Sequence, residues 1–240
     1  ELTAEMYAAG HSFFTYMSDN ADSLSSCCRL RNEIQDNGFS YTLGAGGVST
    51  GSKSVLTVNL NRCIQYAVRN GRPYTEFLED VVDRMHKFQL AYNENLKHLQ
   101  SKGMLPLFDA GYITMGRQYL TIGVNGLVEA AEFLGIEISD NPQYAAFVQD
   151  VLGIVEKYNK QYRTADVLFN CEMIPAENVG VKHAKWDRED GYVVPRDCYN
   201  SYFYAVEDPS LNVLDKFRLH GRRYVEHLTG GSALHMNLDE

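Results

Sequence analysis

The chain predicts an α/β fold with mostly parallel strands, and three observations carry that prediction. Short runs rich in β-branched residues, such as VLTVNL at 55–60, alternate with amphipathic stretches of ten residues or more. Gly71, Pro73, Gly103, Gly135 and Pro142 fall at the joins between these stretches, where they start or stop elements. No internal repeat, low-complexity tract or linker divides the 240 residues, which are enough for one sizeable core.

Taken in order, residues 1–20 carry a mixed helical pattern ending near Ser18. Residues 19–54 are rich in Gly, Ser, Asn and Asp and lack a period. They read as one long loop, and such loops inside compact domains usually serve function. Residues 55–60 read as a buried strand, and RCIQYAVRNG as a short helix stopped by Gly71. From Pro73 to Gln100, Phe77, Val81, Met85, Phe88, Tyr92 and Leu96 recur at helical spacing, which predicts a long amphipathic helix closed by Gly103. YLTIGVNG (119–126) reads as a strand and turn, LVEAAEFLG (127–135) as a helix, and 142–162 as another. ADVLFNCEM (165–173) reads as a strand, and PAENVGVKHAKWD opens a short helix. Residues 211–227 look helical, and ALHMNLDE (233–240) alternates like a last strand.

Charge and composition exclude several classes. A net charge of −9 with no basic tract argues against a nonspecific nucleic-acid binder, which needs clustered Lys and Arg. No apolar run is long enough for a membrane span, and ELTAEMYAAG lacks the pattern of a signal peptide. A first residue that is Glu reads as a piece of a longer chain. The five cysteines form no CxxC pair and no Cys/His zinc spacing, so a reduced, cytoplasmic protein without a metal site is expected.

SSCCRL at 25–30 sets Cys27 and Cys28 side by side. Vicinal cysteines rarely bridge, because the small ring strains the peptide between them. Two readings stay open on local chemistry: ordinary loop residues, or a reactive sulfur whose thiolate Arg29 and Arg31 favour. GAGGVSTGSKS (44–54) misses the P-loop order by one residue and follows no strand, so a flexible connector is the plainer reading. IGVNG and IPAENVG are strand-to-helix turns whose backbone N–H groups suit phosphate. Glu129 and Glu177 stand on early helix turns, where the dipole alone favours a carboxylate. His183, His220, His227 and His235 have no metal spacing, and Trp186 reads as a packing anchor.

Several blocks together say more. SDNADSLSSCCRLR, the Gly-rich stretch, VLTVNLNR, YLTIGVNGLVEAAEFLG, CEMIPAENVGVKHAKWD and HLTGGSALHMNLDE resemble, in order, blocks of the anaerobic (class III) ribonucleoside-triphosphate reductases, a family of glycyl-radical enzymes. The resemblance implies roughly the second half of a ten-stranded α/β barrel, with residues 19–54 as an inserted cysteine-bearing loop and 1–240 as a partial catalytic domain. It implies that Cys28, directly before Arg29, carries a thiyl radical that takes the ribose 3′ hydrogen, with Cys27 as runner-up or redox helper. A sulfur on a tight loop inside a closed barrel would be shielded and positioned for that transfer. By the same resemblance Ala176, Glu177, Asn178 and Val179 form a triphosphate loop. Gly123, Asn125 and Gly126 contribute to the same end, and Ser26 contacts ribose or base.

The family's glycyl radical, installed by a radical SAM iron–sulfur activase, belongs to a C-terminal segment that these residues do not include. The ATP-binding regulatory domain is likewise not among them. The expected partners are therefore a ribonucleoside triphosphate, the activase and a second copy in a homodimer. The 240 residues alone are expected to be inactive. Formate-using members carry Asn where Ser52 stands, so a thioredoxin-like donor competes with formate as the reductant. The alternatives are another glycyl-radical enzyme of the formate-lyase type, or a non-catalytic nucleotide-binding α/β protein.

Overall fold

Three strands form a parallel sheet in the spatial order β3-β4-β5, namely Ser52–Asn59, Tyr119–Asn125 and Leu168–Met173. The computed structural model describes residues 2–11, 23–25, 31–33, 51–174, 177–230 and 232–235. Ahead of the sheet lie helix α1 (Leu2–Ala8) and a short antiparallel pair, β1 (Ser23–Ser25) with β2 (Arg31–Glu33). In that pair Ser25 stands opposite Arg31.

Each parallel step is made by helices. Helices α2 (Leu60–Arg69) and α3 (Tyr74–Ser101), with the short α4 (Pro106–Asp109), lead from β3 to β4. Helices α5 (Leu127–Phe133) and α6 (Pro142–Tyr162) lead from β4 to β5, and α7 (Glu177–Glu189) follows β5. Two short helices, α8 (Val213–Leu219) and α9 (Arg222–Val225), come last. Local chemistry starts these helices where it should. The Asn59 side chain accepts the Arg62 N–H at the head of α2, and Asn141 accepts the Tyr144 N–H in front of Pro142.

The sheet has two unlike faces, because side chains alternate along each strand. Val58, Ile122, Val124, Cys171 and Met173 point into the core with Leu60, Ile64, Leu78, Val82, Leu127, Val148 and Val151 from the helices. Among the residues between them are Val55, Thr57, Thr121, Gly123, Asn170 and Glu172, set side by side by the registers Thr57–Gly123–Glu172 and Val55–Thr121–Asn170. That second face is largely polar, and on it Thr121, Asn170 and Glu172 are buried while Val55 is exposed.

Several expectations need correction. Strand β3 begins at Ser52, not Val55, because Ser52 and Ser54 continue the ladder onto Tyr119 and Leu120 across a register shift. Along α3 the buried row is Leu78, Val82, His86, Gln89, Asn93 and Leu96, whereas Phe88 and Tyr92 are exposed. Two adjacent rows both carry apolar residues, and the chain buries the one in which His86 and Gln89 each reach a neighbouring element, although the Gln89 and Asn93 side-chain oxygens are left unpaired. His86 lies 2.8 Å from both the Val82 carbonyl and Asn159, and Gln89 donates to the Thr121 carbonyl. The single helix expected over 211–227 breaks at Gly221, and residues 232–235 are irregular rather than a strand. The short helix expected after Ile174 runs to Glu189. Trp186 is half exposed on that helix rather than an anchor.

The burial row of α3 gives a direct check. Leu78→Ala is expected to cost ~2–5 kcal/mol in urea unfolding, while Phe88→Ser stays within about 0.5 kcal/mol of the parent. The opposite ranking would place the wrong face of α3 on the core.

Candidate functional site at the carboxyl ends of the strands

Strands β3 and β4 end on asparagines, Asn59 and Asn125, and both point into a buried polar network. Its centre is Asp187 on α7, which is fully buried. Oδ1 accepts Asn59 Nδ2 at 3.0 Å and Arg62 Nε at 2.6 Å; Oδ2 accepts the Tyr199 hydroxyl at 2.7 Å and Asn61 Nδ2 at 3.2 Å. Burial, then the Asp187 carboxylate, hold the Tyr199 phenol far above its ordinary pKa, so it stays a donor. Arg62 also reaches Asp190 at 2.7 Å. Asn61 and Gln65 donate to the Val193 carbonyl. One carboxylate therefore ties the end of β3 and the head of α2 to α7 and to the irregular segment after it.

That segment, 193–201, straps the turn between β4 and α5. The Asn125 amide donates towards the Tyr199 and Asn200 carbonyls, both at 3.2 Å, and towards Ser201 Oγ at 3.3 Å. Gly126, at φ +79°, donates its N–H to the Asn200 carbonyl. Glu129 Oε1 accepts the Asn200 N–H, the Asn200 amide and Arg196 Nη1. Burial pushes the Glu129 carboxyl up, against the pull of those donors. The strap also lies on α7: Tyr199 N donates to the Gly180 carbonyl at 3.3 Å, and a Cβ on Gly180 would sit 2.7 Å from the Tyr199 oxygen. Any side chain at 180 would push the strap away.

His183 completes the network. Its Nδ1 lies 2.9 Å from Asn125 Oδ1 and is the donor there, since a carbonyl oxygen only accepts. Burial lowers its pKa, opposed by Asp187 and reinforced by Arg62.

The sequence-predicted residues divide as follows. Ser26, Cys27, Cys28 and Ala176 lie outside the described residues. Glu177 opens α7, with Asn178 exposed and Val179 half-buried in its first turn. Gly123 is not in the turn but inside β4 on the polar face, where a Cβ would meet Ile174 and Thr57 at 2.4 and 2.6 Å. Asn125 and Gly126 are at the expected end, but their polar groups are spent on His183 and the strap. Glu129 does more than face a dipole. Sequence reading missed Asp187, Tyr199, Arg196 and Asn200; the only signal was the density of Tyr, Asn and Ser in DCYNSYFY. Of the three described cysteines, Cys198 is exposed, and burial pushes the Cys63 thiol up to about 12 and the Cys171 thiol higher still, so these two offer no thiolate. No group of residues suited to a metal ion occurs among the described residues, and no described helix is long and apolar enough to cross a membrane.

Polar side chains and helix starts gathered beyond the carboxyl ends of parallel strands are the arrangement in which open α/β sheets hold ligands. The whole chain, residues 1–240, matches the family model for anaerobic ribonucleoside-triphosphate reductase, and the protein belongs to that family. Its fold is similar to the anaerobic ribonucleotide reductase from Thermotoga maritima with glycerol in the active site, at TM-score 0.73 and 30% identity over 80% of this chain. The same reductase with dATP bound in the specificity site matches 79% of this chain at TM-score 0.72 and 30% identity. This chain spans about a third of those proteins, 33% in each case. No curated protein matches it.

Two outcomes follow from the network. Asp187→Ala, which strands four buried or half-buried donors, is expected to cost ~3–5 kcal/mol, read by denaturant unfolding; a loss under 1 kcal/mol would contradict the network. His86 and His183 both have native pKa values below the ordinary 6.5. The unfolded chain then binds protons more readily, so their contribution is full above about pH 6.5 and is lost as pH falls through the native values. His183→Gln should flatten that slope, and an unchanged slope in pH-dependent melting would contradict it.

Proposed function

We propose that these residues form part of the catalytic barrel of an enzyme that reduces ribonucleoside triphosphates to deoxyribonucleoside triphosphates without oxygen. The observation that carries the proposal is the family match across all 240 residues. The geometry supports it in two ways. Helix α7 starts at Glu177, just past the carboxyl end of β5, so the backbone N–H groups of its first turn, 177–179, stand at a positive helix end suited to a triphosphate. The sheet's second face is largely polar, with Thr121, Asn170 and Glu172 buried on it, as on the wall of a reaction chamber, and on this reading β3, β4 and β5 are three strands of the ten-stranded barrel.

On this reading the Cys28 loop enters that chamber. The family's glycyl radical, carried on a segment beyond these residues and installed by a radical SAM activase, would take the hydrogen atom of the Cys28 S–H, forming a glycine C–H bond and leaving the sulfur as a thiyl. Cys28 sulfur then takes the 3′ hydrogen atom from ribose, forming an S–H bond and leaving the radical on C3′. The 2′ hydroxyl leaves as water after protonation. Two electrons and a proton from formate, which leaves as CO2, or from a thioredoxin-like dithiol, which closes to a disulfide, reduce the sugar, and the S–H returns its hydrogen to C3′ and regenerates the thiyl. Cys27 stands next in line for the same role. The rest of the barrel, a homodimer and the cytoplasmic setting belong to this proposal, as does the inactivity of the 240 residues alone.

The test uses the complete, activated enzyme. Cys28→Ser is expected to abolish deoxynucleotide formation while the glycyl radical signal in electron paramagnetic resonance persists. Normal turnover by that variant would overturn the assignment.

A further inference from the structure

The polar face of the sheet holds one side chain whose state is unusual. Asn170, in the middle of β5, is 1% exposed, and neither its amide nitrogen nor its amide oxygen has a hydrogen-bond partner. An amide buried with both ends unpaired is costly, typically ~1–3 kcal/mol for each lost partner, and natural chains rarely tolerate it without a use. Its surroundings are polar and close. Asn170 pairs in register with Thr121 on β4, and Thr121 Oγ1 lies 2.7 Å from Ser52 Oγ on β3. Val55 is the β3 residue in register with Thr121, and Ser52, one step along in register with Tyr119, sets its hydroxyl diagonally beside the Thr121–Asn170 pair on the face opposite the core.

A glycine lies beside Asn170. Gly230 donates its N–H to the Cys171 carbonyl at 2.8 Å along the outer edge of β5. A Cβ on Gly230 would lie 2.9 Å from Asn170 Nδ2 and 3.1 Å from the Glu172 Cβ. A side chain there would press on the Asn170 amide and the Glu172 side chain.

We propose that Asn170 is a substrate-binding residue whose amide receives the neighbouring ring hydroxyls of a ribose, with the Ser52–Thr121 hydroxyl pair beside it. This deepens the proposed function and rests on that reading. The chemistry selects the ligand. A free primary amide presents a donor and an acceptor side by side, and adjacent hydroxyls present the matching acceptor and donor. A carboxylate would satisfy only the nitrogen and would leave the oxygen facing like charge.

The experiment compares a ribonucleoside triphosphate with its 2′,3′-dideoxy counterpart in the complete, activated enzyme. The dideoxy compound is read as a competitive inhibitor, so that only the substrate site reports. Asn170→Val, which suits a strand, is expected to raise KM for the ribonucleotide about tenfold, as the loss of one to two net hydrogen bonds requires, with the dideoxy inhibition constant unchanged. Asn170→Ala should do the same and covers the case in which the Val variant fails to fold. Equal changes in both constants, or no change in either, would overturn the proposal; the latter would mean the amide holds only a buried water. If the parent enzyme makes no deoxynucleotide, the functional reading fails. Asn170 is then judged by dissociation constants for the same pair in direct titration, where the parent must favour the ribose form and the Val variant must not.

Discussion

The site depends on one buried carboxylate. Asp187 gathers four donors from β3, α2 and the strap after α7, and no other group among the described residues joins so many separate segments. Removing a carboxylate from water is expensive, and only full pairing offsets the cost. Here the pairing is complete, and it is long-range: Asn59, Asn61 and Arg62 lie more than a hundred positions from Asp187 in sequence. Helix α7 is therefore fixed at its C-terminal half by electrostatics and at Gly180 by close backbone contact. Its opening turn, 177–179, is thereby held relative to the strand ends.

This division of labour separates two helix starts that look alike in sequence. The turn at Gly126 and the turn before Glu177 both follow a strand and both lead into a helix. At Gly126 the N–H is consumed by Asn200, and the strap covers the turn. No such strap bond is made by the first turn of α7 among the described residues, so phosphate binding is better sought there. The polar face of the sheet adds a second constraint. Gly123 is required by packing against Ile174 and Thr57, and Asn170 is retained at a cost that packing does not explain.

Much of the fold was legible in the sequence. VLTVNL, YLTIGVNG and VLFNCEM announced parallel strands through their β-branched runs, and Asn59, Asn141 and Pro142 marked helix starts through capping chemistry. The less legible parts share a physical cause. Phe88 and Tyr92 look like core residues by spacing, but α3 carries two plausible rows, and the choice was made by partners for His86 and Gln89 on distant elements. Ser52 and Ser54 have weak strand preference and pair through tertiary context, with Tyr119 and Leu120 of the central strand. Asp187, Arg196, Tyr199 and Asn200 gain meaning only from tertiary neighbours, and a single charged residue on a helix gives no sign that it will be buried. Cys28 was singled out by ordered blocks along the chain, not by local chemistry, which left it undecided between loop residue and reactive sulfur.

The account's central claim is that one enclosed space, bounded by the polar face of β3–β5 and the start of α7, brings a ribonucleotide to the Cys28 sulfur. A crystal structure of the complete enzyme with a ribonucleoside triphosphate bound tests it most directly. The account predicts triphosphate oxygens on the backbone of residues 176–179 and the Cys28 sulfur in van der Waals contact with C3′ of the ribose. A nucleotide bound elsewhere, with that sulfur turned to open solvent, would contradict it.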